Sequence, residues 1–291
     1  MKLTVISGFL GAGKTTLIRR IISNADSKTA VIVNEFGDVG IDRELVSSSG
    51  KLEVAELASG CVCCTLRADL SETLTELRER FSPERVFLEP SGVSMTSSIV
   101  EALQEPHLKG IAELEGVISV IDASAFSELY PLETFQHLYR DAIANASAVV
   151  INKVDLVSEK GILNVERTVR EINPSALVLR SSFGEVTLPE KLPGVEVRVS
   201  EGVHLLFDSF SAKPREMSTD EADELFERLK RGEFGRVIRA KGIFRAGGKS
   251  WYYDLSSGRV SREELPSEAE PSFVAIGSKI DKEALKRILE V

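Results

Sequence analysis

The first two-thirds of the chain alternates short, continuously apolar runs with longer segments whose apolar residues recur at helical spacing. The apolar runs are "LTVISG" (3–8), "TAVIVNEF" (29–36), "KLEVAEL" (51–57), "RVFLEP" (85–90), "GVISVIDA" (116–123), "AVVINK" (148–153) and "SALVLRS" (175–181). They do not alternate apolar with polar, so they predict strands covered on both faces, as in a parallel sheet. The intervening segments predict helices over 14–24, 66–81 and 159–172, the last stopped by Asn173 and Pro174. Such alternation predicts a doubly wound α/β domain with a mostly parallel sheet and right-handed crossovers.

The pattern changes near "KLPGVEV" (191–197). Beyond it come a strand in "VHLLFDSF", a helix opened by Ser218 or Thr219, strands at 235–246, 250–254 and 272–277, and a closing helix over 281–290. These strands alternate more and are more aromatic, with Trp251, Tyr252 and Tyr253 beside a Gly-Gly turn signal. The expected organisation is an α/β phosphate-loop domain over 1–190, a linker over 191–203, and a smaller α+β domain over 204–291.

Composition narrows the function classes. Hydrophobic residues make up 43% of the 291 positions and charged residues 28%, ordinary values for a globular protein. No run reaches the ~20 apolar residues of a membrane helix, and "MKLTVISG" lacks signal-peptide anatomy, so no membrane partner and a cytoplasmic setting are expected. A formal net charge of -9 argues against nucleic acid as the main partner.

"GFLGAGKT", Gly8 to Thr15, follows a strand and opens a helix, and it fits G-x-x-x-x-G-K-[ST]. Backbone N–H groups of such a loop turn inward around phosphates, and the helix N-terminus adds partial positive charge. Lys14 is expected to reach the β- and γ-phosphates and Thr15 to ligate Mg²⁺, so Gly8, Gly11, Ala12, Gly13, Lys14, Thr15 and Thr16 form the expected phosphate site. "INKVD" ends a later strand. Asp155 can accept from the N1–H and 2-amino group of guanine, which adenine lacks; Asn152 could serve O6 or N7, and the Lys153 stem could pack on the base. "SSFGEV" (181–186), beginning at Ser181, is the expected loop donating backbone N–H to guanine O6. "FLEPSG" (87–92) ends the fourth strand. Glu89 sits where an acidic residue would orient Mg²⁺ or the attacking water, and Gly92 can bring its N–H to the γ-phosphate; the plainer reading makes Glu89 a helix cap.

All three cysteines, Cys61, Cys63 and Cys64, fall in "ELASGCVCCT" (56–65). They converge only if the chain turns at Val62–Cys64, between Gly60 and a helix start expected near Leu66. Three converging thiolates suit Zn²⁺, then Co²⁺ or Cu(I). A buried inert set and a redox pair of Cys61 with Cys64 are the competing readings. "NEFGDVGID" (34–42) offers Glu35, Asp38 and Asp42 at a strand's carboxyl end, where ligands gather in open α/β sheets. His107, His137 and His204 belong to no metal-spaced motif.

Together these motifs resemble the CobW-like family of metal-linked P-loop GTPases, in the class of the urease and hydrogenase nickel-insertion GTPases. The resemblance rests on "GFLGAGKTT", "NEFGDVGID", "ELASGCVCCT", "EPSG", "INKVD" and "RAKGIFR" (239–245), and spans nearly the whole chain. It implies hydrolysis of GTP to GDP and phosphate with Mg²⁺, and a Zn²⁺ or Co²⁺ ion at Cys61, Cys63 and Cys64. It further implies delivery of a metal or metal cofactor to a client metalloprotein or cofactor-assembly enzyme, with a nucleotide-dependent homodimer as one mode of assembly. A regulatory GTPase that senses metal and activates a corrinoid or other metalloprotein without transferring metal is the alternative. Two features depart from the family pattern: Pro90 replaces the usual Thr or Ser after the strand-four glutamate, and residues 191–235 hold one histidine, His204, rather than a His-rich stretch.

Overall fold

The structure, a computed structural model, describes residues 1–23, 27–33, 52–56, 63–92, 94–189, 191–194, 208–256, 258–266 and 268–290. It divides into two compact units, Met1–Val203 and His204–Val291. Among the described residues no helix is long and apolar enough to cross a membrane.

The first unit is built on seven parallel strands: β1 (Lys2–Gly8), β2 (Thr29–Val33), β3 (Leu52–Glu56), β4 (Arg85–Glu89), β5 (Glu113–Asp122), β6 (Ala148–Asn152) and β7 (Leu177–Arg180). Their order is β3-β2-β4-β1-β5-β6-β7. The expected doubly wound α/β fold is therefore present, and every pairing in this sheet is parallel. Burial explains the apolar runs. β2 and β6 are buried at each residue, and β1 is buried from Leu3 to Ser7. The helices that cover the sheet are α1 (Lys14–Ser23), α2 (Cys63–Arg80), α3 (Thr96–Leu103), α4 (Pro106–Lys109), α5 (Ala123–Leu129), α6 (Glu133–Ala144) and α7 (Glu159–Ile172). Leu17, Ile18 and Ile22 of α1 pack with Ile6, Val31 and Val120 in one core cluster, while Leu70, Leu74 and Leu77 of α2 pack with Val5, Ile32 and Leu88 in another.

Two boundaries differ from the sequence expectation. β5 begins at Glu113 rather than 116, because Glu113 and Leu114 pair with Lys2 and Leu3 before an irregularity in register. α2 begins at Cys63 rather than near Leu66, which puts Cys63 and Cys64 in a helical turn instead of the sharp turn expected over 62–64. Neither cysteine carries a helix-breaking feature, so the preceding Gly60 is the last local signal against helix.

The second unit is a five-stranded antiparallel sheet, β11-β10-β9-β12-β8, with two helices. Its strands are β8 (Asp208–Ala212), β9 (Arg236–Ala246), β10 (Lys249–Ser256), β11 (Arg259–Glu264) and β12 (Ser272–Ser278); its helices are α8 (Thr219–Lys230) and α9 (Lys282–Leu289). This is the expected smaller α+β unit. Its core gathers Ala222, Leu225, Phe226 and Leu229 of α8 and Leu285 and Leu289 of α9 with Phe244, Tyr253 and Phe273 of the sheet. Phe226 lies in tilted or edge contact with Phe244, Tyr253 and Phe273.

α8 opens on a reciprocal cap. The Ser218 hydroxyl accepts from the Glu221 N–H (3.2 Å), and the Glu221 carboxylate accepts from the Ser218 N–H (2.8 Å) while pairing with Arg215 (2.9 Å). The Ser218 N–H, followed by the Arg215 guanidinium, holds the Glu221 carboxyl down from 4.5 to about 2. A carboxyl depressed in the folded state adds stability above its unfolded value, and that stability is lost as pH falls through the folded value. Glu221→Gln is therefore expected to be less stable than the parent above about pH 4.5, with the two converging as pH approaches about 2, read by denaturant unfolding at each pH.

Candidate functional site

The carboxyl ends of the parallel strands lie along one edge of the first unit, and the described residues of the predicted nucleotide site follow them. Gly8 ends β1, Glu89 ends β4, Asp122 ends β5, Asn152 ends β6, and Ser181 follows β7. The chain passes from β1 outward to β2 and β3, returns through β4, and continues from the other side of β1 into β5. β1 is thus the strand at which the order reverses, the place where open α/β sheets form a ligand crevice.

The loop between β1 and α1 is shaped by close approaches. Gly13 has φ +101°, and a Cβ there would lie 2.4 Å from the Asn152 amide nitrogen. Gly92 packs against the same loop from the β4 side, where a Cβ would stand 2.7 Å from the Leu10 backbone nitrogen. A larger residue would displace the Asn152 amide at the first position and the loop backbone at the second. Phe9 anchors its outer turn through an edge contact with Phe135 of α6, ring centroids 5.3 Å apart. Lys14, the first residue of α1, is buried, and its ammonium donates to the Phe9 carbonyl at 3.4 Å. The lysine head thus lies across the loop whose N–H groups it would help to turn onto an anion.

Thr15 and Glu89 meet directly. The threonine hydroxyl donates to both carboxylate oxygens, at 2.9 and 3.1 Å, and Glu89 is only 1% exposed. A carboxylate at that depth, bonded to a hydroxyl, supplies the hard oxygen donors that suit a Mg²⁺ ion. The helix-cap reading does not describe this geometry: α3 starts at Thr96 after Met95 and has no side-chain cap. Instead the Ser97 N–H is accepted by buried Asp141 of α6, at 3.1 Å.

On the other side of the loop, Asn152 is 2% exposed and makes two backbone bonds. Its amide donates to the Ala12 carbonyl (2.9 Å), and its oxygen accepts from the Gly184 N–H (3.2 Å). This places Asn152 as a brace between the phosphate loop and the 181–185 loop. Lys153 adopts the left-handed region at φ +61°, and its ammonium pairs with Asp122 at 2.7 Å. Asp155 stands exposed on the short 3-10 turn 154–156, available to a base edge. The Ser181 hydroxyl is buried and, among the described residues, has no partner, while its carbonyl accepts from the Val154 N–H at 3.2 Å. Thr16 is exposed on α1.

Asp122 had no role in the sequence reading. It is buried, caps α5 by accepting from Ser124 and Ala125 N–H, and holds Lys153. An acidic residue ending a buried strand, followed by "ASA", is the signal that would have found it. Burial, reinforced by the nearby Asp122 charge, pushes the Tyr139 hydroxyl well above its usual range, so Tyr139 stays protonated. Cys61, Glu35 and Asp38 lie outside the described residues, as do the side-chain positions of Cys63 and Cys64. Among the described residues no cluster of three or more His, Cys, Asp or Glu is placed to hold a metal ion.

The nucleotide-binding-domain profile of CobW/HypB/UreG matches residues 2–180. The zinc chaperone CobW of a Sinorhizobium species is 33% identical over 185 residues, covering 55% of this chain and 52% of that protein. The zinc-regulated GTPase metalloprotein activator 1 of Dictyostelium discoideum is 31% identical over 298 aligned residues, covering 84% of this chain and 62% of that protein. The chain thus spans between about half and three-fifths of the length of these relatives. A Zn(II)-bound triple mutant of the YjiA GTPase superposes with a TM-score of 0.51 at 20% identity, covering 99% of this chain and 97% of that one, which shows a shared fold.

The double bond of Asn152 sets an expectation that needs no ligand. Asn152→Ala leaves a buried carbonyl and a buried N–H without their partner, and should lower stability by roughly 1–3 kcal/mol in urea unfolding of nucleotide-free protein. An unchanged nucleotide-free stability with weakened nucleotide binding would instead assign the amide to the ligand.

Proposed function

The chain belongs to the CobW/HypB/UreG family through its nucleotide-binding domain, and on that premise we propose that it is a metal-linked GTPase. The observation that carries the reading is the gathering of Lys14, the Thr15–Glu89 pair, Gly92 and the Asn152–Asp155 segment on one sheet edge. In this reading Lys14 and the inward N–H groups hold the β- and γ-phosphates. Thr15 holds Mg²⁺ with Glu89 behind it, and the ion supplies neutralisation of phosphate charge when bound. In the same reading Glu89 orients the attacking water, and the Gly92 N–H meets the γ-phosphate. Asp155 reads the guanine edge, and the Ser181 loop closes over the base.

The thiols supply the metal side. Cys61, Cys63 and Cys64 bind a zinc-class ion as cargo, with Glu35 or Asp38 within the same family motif set. Two relatives favour different outcomes for that ion: one is named a zinc chaperone, the other a zinc-regulated activator of metalloproteins. We favour delivery to a client metalloprotein or cofactor-assembly enzyme. Transfer of the ion to an apo-client that depends on GTP supports delivery, and client activation with the ion retained supports regulation.

Base recognition has a direct test. Asp155→Asn should exchange preference for guanine toward xanthine, whose 2-position offers an acceptor where guanine has a donor, and calorimetry should show the reversal. Equal affinity of the parent protein for ATP and GTP overturns the guanine assignment. The metal side is read by cobalt. Reduced protein given Co²⁺ and a non-hydrolysable GTP analogue should show thiolate charge-transfer absorption in the near ultraviolet, and the triple Cys→Ser variant should not. Absence of the band in the parent protein, with three thiols titrating free, overturns the metal site.

A further inference from the structure

The loop after β7 carries a feature that phosphate and guanine-edge recognition leave unexplained. Phe183 is 68% exposed, the most exposed large hydrophobic residue among the described residues, ahead of Leu163 at 51% and Leu156 at 49%. Phe183 also sits at φ +54°, in the left-handed region. A bulky side chain seldom adopts that region, and such strain persists only where surrounding bonds impose it.

Those bonds are present. The Phe183 carbonyl accepts from Arg20 Nε of α1 at 3.0 Å, and the Arg20 guanidinium pairs with Glu185 at 2.9 Å. The Glu185 N–H donates to the Ser182 carbonyl at 3.0 Å, and the Gly184 N–H donates to Asn152 at 3.2 Å. A Cβ on Gly184 would lie 3.1 Å from the Leu17 backbone nitrogen, so the loop rests on the first turns of α1. The loop is therefore fixed between the helix that follows the phosphate loop and the strand end that leads to Asp155. A base joined through its ribose to phosphates at α1, with its edge at Asp155, must lie beside this loop. Among the described residues, the ring at that place is left in solvent on a backbone held in the left-handed region.

We infer that Phe183 is an affinity-determining residue that stacks its ring on the face of the bound guanine. The inference rests on the guanine reading proposed above and adds to it a contact made to the base face rather than the base edge. Aromatic stacking on a base is indifferent to the edge groups, because every base has a π-face. Phe183 then sets how tightly the nucleotide is held and how slowly it leaves, while Asp155 sets which base is held. The contact is the same for GDP and GTP, so it does not discriminate between them.

The experiment is equilibrium binding of GDP, of a non-hydrolysable GTP analogue and of ADP to the whole chain and its variants. Phe183→Ala should weaken GDP and the GTP analogue alike by about tenfold, about 1.4 kcal/mol, with the preference of guanine over adenine unchanged. Phe183→Trp should restore affinity, and its emission should be quenched by GDP against the background of the lone native tryptophan, Trp251. Phe183→Leu, apolar but without a π-face, should restore little. Parent protein that binds no guanine nucleotide overturns the guanine reading and this inference with it. Parent protein that binds GDP, with Phe183→Ala binding equally well or Phe183→Leu binding as tightly as the parent, overturns the stacking contact alone.

Discussion

The candidate site depends on one buried amide. Asn152 stands at the carboxyl end of β6 with its side chain out of water, and its two functional ends are taken by two different loops: the amide by the Ala12 carbonyl and the oxygen by the Gly184 N–H. Both bonds are to backbone, so they fix chain geometry irrespective of the side chains those loops carry. Leaving either group unsatisfied in a buried setting costs more than the bond itself contributes, which makes the two loops move together or not at all. Gly13 is the corollary on the opposite side. The amide comes so close that any Cβ would collide with it. The phosphate loop and the 181–185 loop are thereby tied to one side chain in the nucleotide-free chain, and preorganisation of that kind lowers the ordering cost of binding.

The other half of the site is organised by charge rather than by an amide. A carboxylate as deeply buried as Glu89 must be compensated. Thr15 provides two bonds to it in this structure. Gly92, three residues on, is packed against Leu10. The 89–92 segment is consequently braced at both ends against the phosphate loop, by a hydroxyl–carboxylate contact and by backbone packing. Beyond this segment, the Ser97 N–H donates to Asp141 and ties the start of α3 to α6. Such a segment has the attributes of a two-state element biased by a ligand.

How much of this was legible in the sequence varies with the physics involved. Strands buried on both faces announce themselves, and β1, β2 and β6 are found where the apolar runs put them. The phosphate loop and the cap at Ser218 are likewise set by local rules, a spacing in one case and Ser-x-x-Glu in the other. β11, "RVSREE", was missed because five of its six residues are exposed or half-exposed and charged or polar; its pairing with β10 comes from the hairpin register and not from burial. The bracing bonds of Asn152 were not legible, because an amide at a strand end suits a base edge and a backbone brace alike. The Gly184 N–H that its oxygen accepts from lies 32 residues later, and no local pattern carries that information. Asp122 is of the same kind: its Lys153 partner lies 31 residues away.

The sheet order also constrains how metal and nucleotide could communicate. Cys61, Cys63 and Cys64 follow the carboxyl end of β3, the edge strand, whereas the phosphate loop follows β1. Three strand spacings separate β3 from β1, about 14 Å at ~4.8 Å each. That span keeps the strand end from which the thiol segment departs out of direct reach of the phosphates, yet two intervening strand ends, those of β2 and β4, fill the gap. β4 leads into the 89–92 segment already braced on the phosphate loop, and β2 leads into 34–42, with its acidic residues. In the function proposed here, the strand order makes the β2 and β4 ends the elements that lie between the two strands from which the metal and phosphate segments depart. Coupling between metal and nucleotide is limited in strength to the difference in affinity that each ligand has for the two states of those elements. It must also run in both directions: whatever factor GTP adds to metal affinity, the metal adds to GTP affinity. Release of cargo on hydrolysis and tighter nucleotide binding in the metal-loaded protein are then two readings of one free energy.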